Sequence, residues 1–194
     1  MSFIFNEDKA LKAMLAGVTV SDAKNNERPV GVWFGQPDLE IREQSYPYLT
    51  IDLIDVSEAI ERSHRGVIDL PYTPEGLDSD NTYTVDFPIP MDLTYQITSY
   101  SRNPHHDRQI ISALMHNNLA LRFNFLVVPE DGTARRVDFL GFSKRDTVES
   151  DKRLFVNTFS VRINSEIIYG VPKVMPTVEE VNTSYINIEQ QFEI

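Results

Sequence analysis

The sequence predicts an α+β fold: a single domain built on a mainly antiparallel sheet flanked by two helices, with a long loop excursion and an extended C-terminal arm. Three observations carry this expectation. Apolar residues alternate with polar ones in three segments, 48–56, 91–100 and 154–168, the period of a sheet with one buried face. Two other segments, 7–18 and 104–119, repeat apolar residues at helical spacing. Pro129-Glu130-Asp131-Gly132 is a hairpin turn signal between two apolar runs.

The elements follow in order. Asn6 is placed to cap a first helix, Glu7 and Asp8 suit its positive end, Leu11, Met14, Leu15 and Val18 form its stripe, and Gly17 stops it. Residues 21–28, SDAKNNER, are polar and read as a loop. Arg28 to Gly35 reads as a strand with Val30, Val32 and Phe34 on one face and Trp33 on the other, and Gln36-Pro37-Asp38 turns the chain. In the strand from Tyr48 to Val56, Leu49, Ile51 and Leu53 alternate with Thr50, Asp52 and Ile54. Residues 57–87, with Pro71, Pro74, Gly76 and the DSDN run, read as an irregular excursion with a hairpin at its ends; a loop of this length is usually functional or interfacial.

From Met91 to Tyr100, Leu93, Tyr95, Ile97 and Ser99 share one face of a strand. Asn103 then caps a helix with Pro104 at its first position, where the missing N–H costs nothing; Ile110, Ile111, Leu114, Met115 and Leu119 form its apolar stripe. Arg122 to Val128 and Arg136 to Phe142 make a hairpin. The strand from Leu154 to Ile168 sets Phe155, Phe159, Val161, Ile163 and Ile167 opposite Thr158, Ser160, Arg162, Asn164 and Glu166, and at this length it is expected either to bend or to extend past the domain. Residues 1–170 are therefore read as the domain and 171–194 as the arm. In the arm, Pro172 and Pro176 precede a polar, acidic stretch carrying Tyr185, Ile186, Ile188, Phe192 and Ile194. That stretch reads either as a disordered terminus or as a segment that packs on a neighbouring subunit, adding a strand to a sheet edge.

Composition narrows the function. A chain of 194 residues with 41% hydrophobic and 24% charged residues has a core, and its 11 Phe and 8 Tyr make that core or an interface aromatic. It contains no cysteine, which excludes disulfides, thiolate nucleophiles and cysteine metal sites and fits synthesis in a reducing cytoplasm. No apolar run approaches the ~18 residues of a membrane span, and MSFIFNEDKA lacks the pattern of a secretory signal. A net charge of −11 opposes non-specific nucleic-acid binding. Arg135, Arg136, Lys144 and Arg145 are read as solvated strand-end and turn charges.

Catalytic constellations are missing from the sequence. His105-His106-Asp107 is the nearest thing to a metal cluster, but adjacent helical residues diverge by about 100°, so these are read as polar residues of a first helical turn. There is no HExxH, GxSxG, GxxxxGK[ST] or GxGxxG pattern. No catalytic, cofactor-binding or metal residue is assigned and no cofactor is expected, so the chain is not read as an enzyme.

The order VGVWFGQPDLE, YPYLTIDLIDV, PIPMDLTYQITSYSRNPHHDRQIISALM and RLFVNTFSVRINSEI, after a short helix, resembles the tail-terminator and tail-completion proteins of tailed bacteriophages. It is also similar to the cap proteins of contractile injection machines. The likeness rests on a P-x-x-L-x-Y-x-I strand, here Pro90, Leu93, Tyr95 and Ile97, that feeds a helix, and on a last strand ending Arg162-Ile163-Asn164-Ser165-Glu166-Ile167; it spans residues 1–170. The resemblance implies a virion structural protein made in the host cytoplasm and located in the tail–neck region. It implies a homo-oligomeric ring, expected to be a hexamer, that ends the tail tube and joins it to the neck or head. Implied partners are other copies of the chain, the tail tube and sheath proteins, and a neck or connector protein, with DNA passing through unbound. The alternatives are another connector or baseplate subunit, or a soluble enzyme using His105, His106 and Asp107, or His64 with Glu61. Aromatic and Arg residues favoured at interfaces single out Trp33, Phe34, Arg65, Tyr185, Ile188 and Phe192 as contact residues.

Overall fold

Phe5–Leu15 forms the first helix, α1, and its cap is Ile4 rather than the expected Asn6, which lies inside the first turn. The helix begins two residues earlier, and Glu7, at its third position, reaches back to accept the Ile4 N–H at 3.1 Å, the half of a capping box that serves the cap's own N–H. The computed structural model describes residues 3–22, 26–36, 46–70, 75–77, 81–119, 124–130, 132–149, 151–168, 170 and 172–175.

The stretch read as a loop over 21–28 proves to be part of a two-stranded antiparallel ribbon, β1 (Thr19–Ser21) with β2 (Glu27–Pro29). All three β2 residues are exposed, so no alternation marked them. The Val30 N–H donates to Val18 O at 2.9 Å and separates β2 from β3 (Gly31–Phe34), dividing what reads as a single strand. β4 spans Tyr48–Glu58, a 3₁₀ turn Ile60–Arg62, β5 Val67–Asp69 and β6 Thr82–Asp86. β5 and β6 pair antiparallel, the hairpin expected at the ends of the excursion. β7 spans Ile89–Ser101, and α2 (Pro104–Ala113) follows with Asn103 capping the His105 N–H at 2.9 Å, as predicted. A π turn, Leu114–Asn118, ends it. Then come β8 (Asn124–Val128), β9 (Thr133–Lys144), β10 (Thr147–Glu149), β11 (Lys152–Ile167) and β12 (Lys173–Met175).

The main sheet runs β3-β4-β7-β11-β9-β8, with β10 on the end of β11. Its pairs are antiparallel except β3 with β4, which is parallel. The expected α+β class is what the structure shows. The pairing of β11 with β9 carries a bulge: Ser160 faces Gly141 and Val161 faces Phe139, leaving Leu140 as the extra residue. β4 carries a second bulge at Ile54.

Both helices contribute to one apolar cluster on a single face of the sheet. Leu11 and Leu15 of α1 and Ile110 and Leu114 of α2 join Leu93, Tyr95, Ile97, Phe159, Val161 and Ile163 there. The first turn of β4 departs from the one-faced pattern, since Tyr48, Leu49, Thr50 and Ile51 are all buried. The cause is an aromatic cover on the other face. Tyr48 stacks on Tyr100 with centroids 4.8 Å apart, Tyr46 leans on Tyr48 at 5.3 Å, and the Arg102 guanidinium lies 4.6 Å over the Tyr46 ring. Burial and the Glu149 carboxylate, which accepts from the Tyr46 hydroxyl at 2.8 Å, hold that phenol above its ordinary value.

Polar inward positions of the central strands latch the helices. The Ser165 hydroxyl of β11 donates to Glu7 of α1, and the Tyr95 hydroxyl of β7 donates to Asp8 at 2.6 Å. Burial, followed by the Asp8 hydrogen bond, raises the Tyr95 phenol well above its ordinary 10.0. The stability this contributes is whole below about pH 10 and is lost as pH climbs past the unfolded value toward the folded one. Tyr95→Phe is expected to cost about 1–2 kcal/mol at neutral pH, because Asp8 loses its donor, and to flatten the alkaline loss. Urea titrations of both chains at about pH 8 and about pH 11 measure both effects.

By contacts the chain forms two compact units, Met1–His64 with Pro88–Ile168, and Arg65–Phe87 with Tyr169–Ile194. The described part of the second unit is a three-stranded sheet, β12-β6-β5, in which β12 pairs antiparallel with β6. Lys173 binds Asp86 across this sheet at 2.7 Å.

Candidate assembly surface

The polar residues that could carry chemistry are held in structural roles. His106 and Asp107, read as solvated residues of a helical turn, are buried. Arg28 donates to His106 Nδ1 at 3.2 Å, which leaves Nε2 as the N–H that donates to Asp22 Oδ1 at 2.7 Å. This pins α2 to the β1–β2 ribbon, where Gln109 also exchanges two hydrogen bonds with Ser21. Asp107 accepts from Lys144 Nζ at 2.8 Å and from Asn157 Nδ2 at 2.6 Å, and Asn157 also donates to Ser99 at 3.1 Å. Lys144 and Arg135 are therefore not free turn charges: the first neutralises a buried carboxylate, and the second is itself buried and pairs with Glu166. Among the described residues, no group of three or more His, Asp or Glu side chains is placed to hold a metal ion.

The face of the sheet opposite the helices is a lattice of ion pairs. Asp138 binds Arg136 at 2.7 Å and Arg162 at 3.1 Å; Arg162 reaches on to Asp92 at 3.7 Å, and Arg62 closes the row on Asp92. These side chains, with Glu58, Glu61 and Asn164, line a shallow depression of about 490 Å³. Such exposed pairs contribute little individually. They give the sheet a charged, flat exterior, and the arrangement offers no nucleophile paired with a base.

Apart from Leu140 and Phe142 on β9 and Val148 on β10, the exposed large apolar side chains on the strands of the main sheet lie toward the two ends of its strand order. On the β4 side, β3 covers only Tyr48–Ile51, and Gly35, at φ +66, turns the chain away after its N–H reaches Ile51 O. Beyond that point Leu53, Ile54 and Val56 are exposed, and no described strand pairs with the outer edge of residues 52–58. On the β8 side, Phe125 and Val127 are 53% and 63% exposed. They face Arg136 and Ala134 across the β9 ladder, while Leu126 and Val128 point into the core. No described strand pairs with the outer edge of β8 either.

Of the residues singled out by sequence, Trp33 and Phe34 stand exposed on the edge strand β3, opposite Thr50 and Ile51, with Lys12 Nζ 5.5 Å from the Phe34 ring. Arg65 is exposed and opens the second unit. Tyr185, Ile188 and Phe192 lie outside the described residues. Sequence reasoning missed Phe125 and Val127; the signal was there in Asn124-Phe125-Leu126-Val127-Val128, a strand with no charged residue.

Among the described residues no helix is long and apolar enough to cross a membrane. No protein-family profile matches the chain, and no curated protein matches it. Among solved structures, it is similar to the sheath/tube terminator of an extracellular contractile injection system, PVC, in its extended state, at 17% identity and a TM-score of 0.48. It is also similar to the anti-feeding prophage cap, a tube-terminating cap, at 12% identity and a TM-score of 0.51. Each match covers 95% of this chain, which spans 66% and 62% of the length of those two chains. The chain thus shares its fold with the tube-terminating cap of the anti-feeding prophage.

Proposed function

We propose that this protein is a tail terminator, a structural component that assembles with copies of itself into a ring, a hexamer, and closes the end of a tail tube. The observation that supports this most directly is the sheet itself: both ends of its strand order are open and apolar, on a fold shared with a tube-terminating cap. A sheet open at two different edges suits head-to-tail contacts, which close into rings when the rotation allows. Trp33, Phe34 and Arg65 are proposed contact residues for the neighbouring copy or the tube, and Tyr185, Ile188 and Phe192 for the arm. The ring meets tube and sheath protein on one side and a neck or connector protein on the other, within the virion. The net charge of −11 favours passage of DNA without retention.

The test is binding. Mixed with tube protein, the chain should co-sediment with tubes and appear at their ends as rings in electron micrographs. Light scattering should give a mass several times that of one chain. A chain that is monomeric at every concentration and does not bind tubes would overturn the reading.

A further inference from the structure

The two open edges are chemically different, and the difference selects an occupant. The β4 edge carries Asp52, Asp55 and Glu58, charges that discourage another strand from pairing there. The β8 edge, Asn124 to Val128, carries no charge, no proline and no glycine, and presents Phe125 and Val127 to solvent. Isolated apolar side chains on a surface are ordinary, but an unguarded apolar strand edge invites pairing. Among the described residues, Arg136 shares the outward face with Phe125 and pairs with Asp138, and Lys9 of α1 reaches Glu130 in the β8–β9 turn.

The sequence contains a segment that complements this edge. From Ile186 to Ile194, apolar Ile186, Ile188, Phe192 and Ile194 fall on one parity, broken only by Gln190. Asn187, Glu189, Gln191 and Glu193 fall on the other. This is the period of a strand with one apolar and one acidic face. Paired with β8, its apolar face would cover Phe125 and Val127, and its carboxylates would fall on the opposite face, the side of α1 and Lys9. The segment lies outside the described residues, ten residues beyond Met175 in β12. Ten residues extend at most about 35 Å.

We infer that residues 186–194 of one copy add a strand to the β8 edge of a second copy, so that the ring is stitched by exchanged arms. This inference rests on the ring-forming reading above and names the contact that holds the ring. Strand addition takes its affinity from main-chain hydrogen bonds and its specificity from alternate side chains, here Ile188 and Phe192 against Phe125 and Val127.

The cysteine-free sequence makes the test clean. One chain carries Val127→Cys, a second, differently tagged, carries Ile188→Cys, and the two are co-expressed and treated with a short bis-maleimide linker. The expected result is a linked heterodimer, about tenfold more abundant than with Val56→Cys in place of Val127→Cys. Phe125→Asp with Val127→Asp should abolish the Ile188 link to a reporter cysteine at Ala134, leave the far-ultraviolet dichroism unchanged, and weaken assembly. Preferential linkage to Val56→Cys would overturn the choice of edge. A Val127→Cys/Ile188→Cys chain that links only within itself would overturn the exchange. A ring that persists on tubes with no link at either edge would sink the exchange and leave the terminator reading standing. A monomer that links nowhere and binds no tube would sink both.

Discussion

Asp107→Ala is expected to destabilise the protein by about 3–5 kcal/mol, among the largest effects of any single substitution in the first unit. Asp107 is a buried carboxylate whose two oxygens are taken, one by Lys144 and one by Asn157. Removing it strands two donors of unequal fate. Lys144 is partly exposed and can return to water, whereas Asn157 is fully buried between β7 and β9 and cannot. The cost is therefore mostly that of a buried Asn157 amide left with Ser99 as its remaining acceptor, together with the lost anchor of α2. Asp107→Asn should cost less, because it retains one acceptor while setting its own NH₂ against a neighbouring donor. A chain with both Asp107→Leu and Asn157→Leu should be more stable than the sum of the two single changes predicts, since neither side chain of the pair then leaves the other buried without its partner. Urea denaturation of the parent chain, the four single variants and the double variant measures these differences; equal losses for Asp107→Ala and Asp107→Asn would contradict the assignment.

The second large effect is expected at Phe159. This side chain is fully buried on β11, pairs with Ile97 on one side and Phe142 on the other, and lies 5.1 Å from the Phe142 ring. Phe159→Ala removes an aromatic ring from the middle of the sheet, where strands on both sides fix the backbone and prevent collapse around the void. The expected loss is about 3–5 kcal/mol. It should lower Tm by about 10 °C for a chain of this size, measured by calorimetry. Phe142→Ala, at a position that is 41% exposed, should cost clearly less. If the two substitutions were equal, the packing centre would lie nearer β9 than the burial pattern indicates.

How much of this was legible in the sequence depended on whether the responsible partners were near in the chain. β7 was readable because Leu93, Tyr95, Ile97 and Ser99 alternate without interruption, and every one of them is buried. The α2 start was readable because Asn103 and Pro104 carry a local signal that needs nothing distant. The β1–β2 ribbon was not readable: Glu27, Arg28 and Pro29 face solvent, and what makes them a strand is pairing with Thr19–Ser21. Nor could the burial of His106 and Asp107 be seen. Their partners stand at Asp22, Arg28, Lys144 and Asn157, and each looks like an ordinary surface residue in its own stretch. The candidate surface was half legible. Exposed Trp33 and Phe34 were found from residue type, whereas Phe125 and Val127 needed the strand order, which no local pattern encodes.

The latching of α1 has a consequence for how the chain is made. Glu7 finds its hydroxyl donor 158 residues later, at Ser165, and Asp8 finds its own 87 residues later, at Tyr95. While the chain emerges from the ribosome, the N-terminal helix lacks its Ser165 latch until nearly the whole first unit has been synthesised. Closure of such distant contacts is slow and comes late. The nascent chain therefore gains both latches of α1 only when β11 is complete.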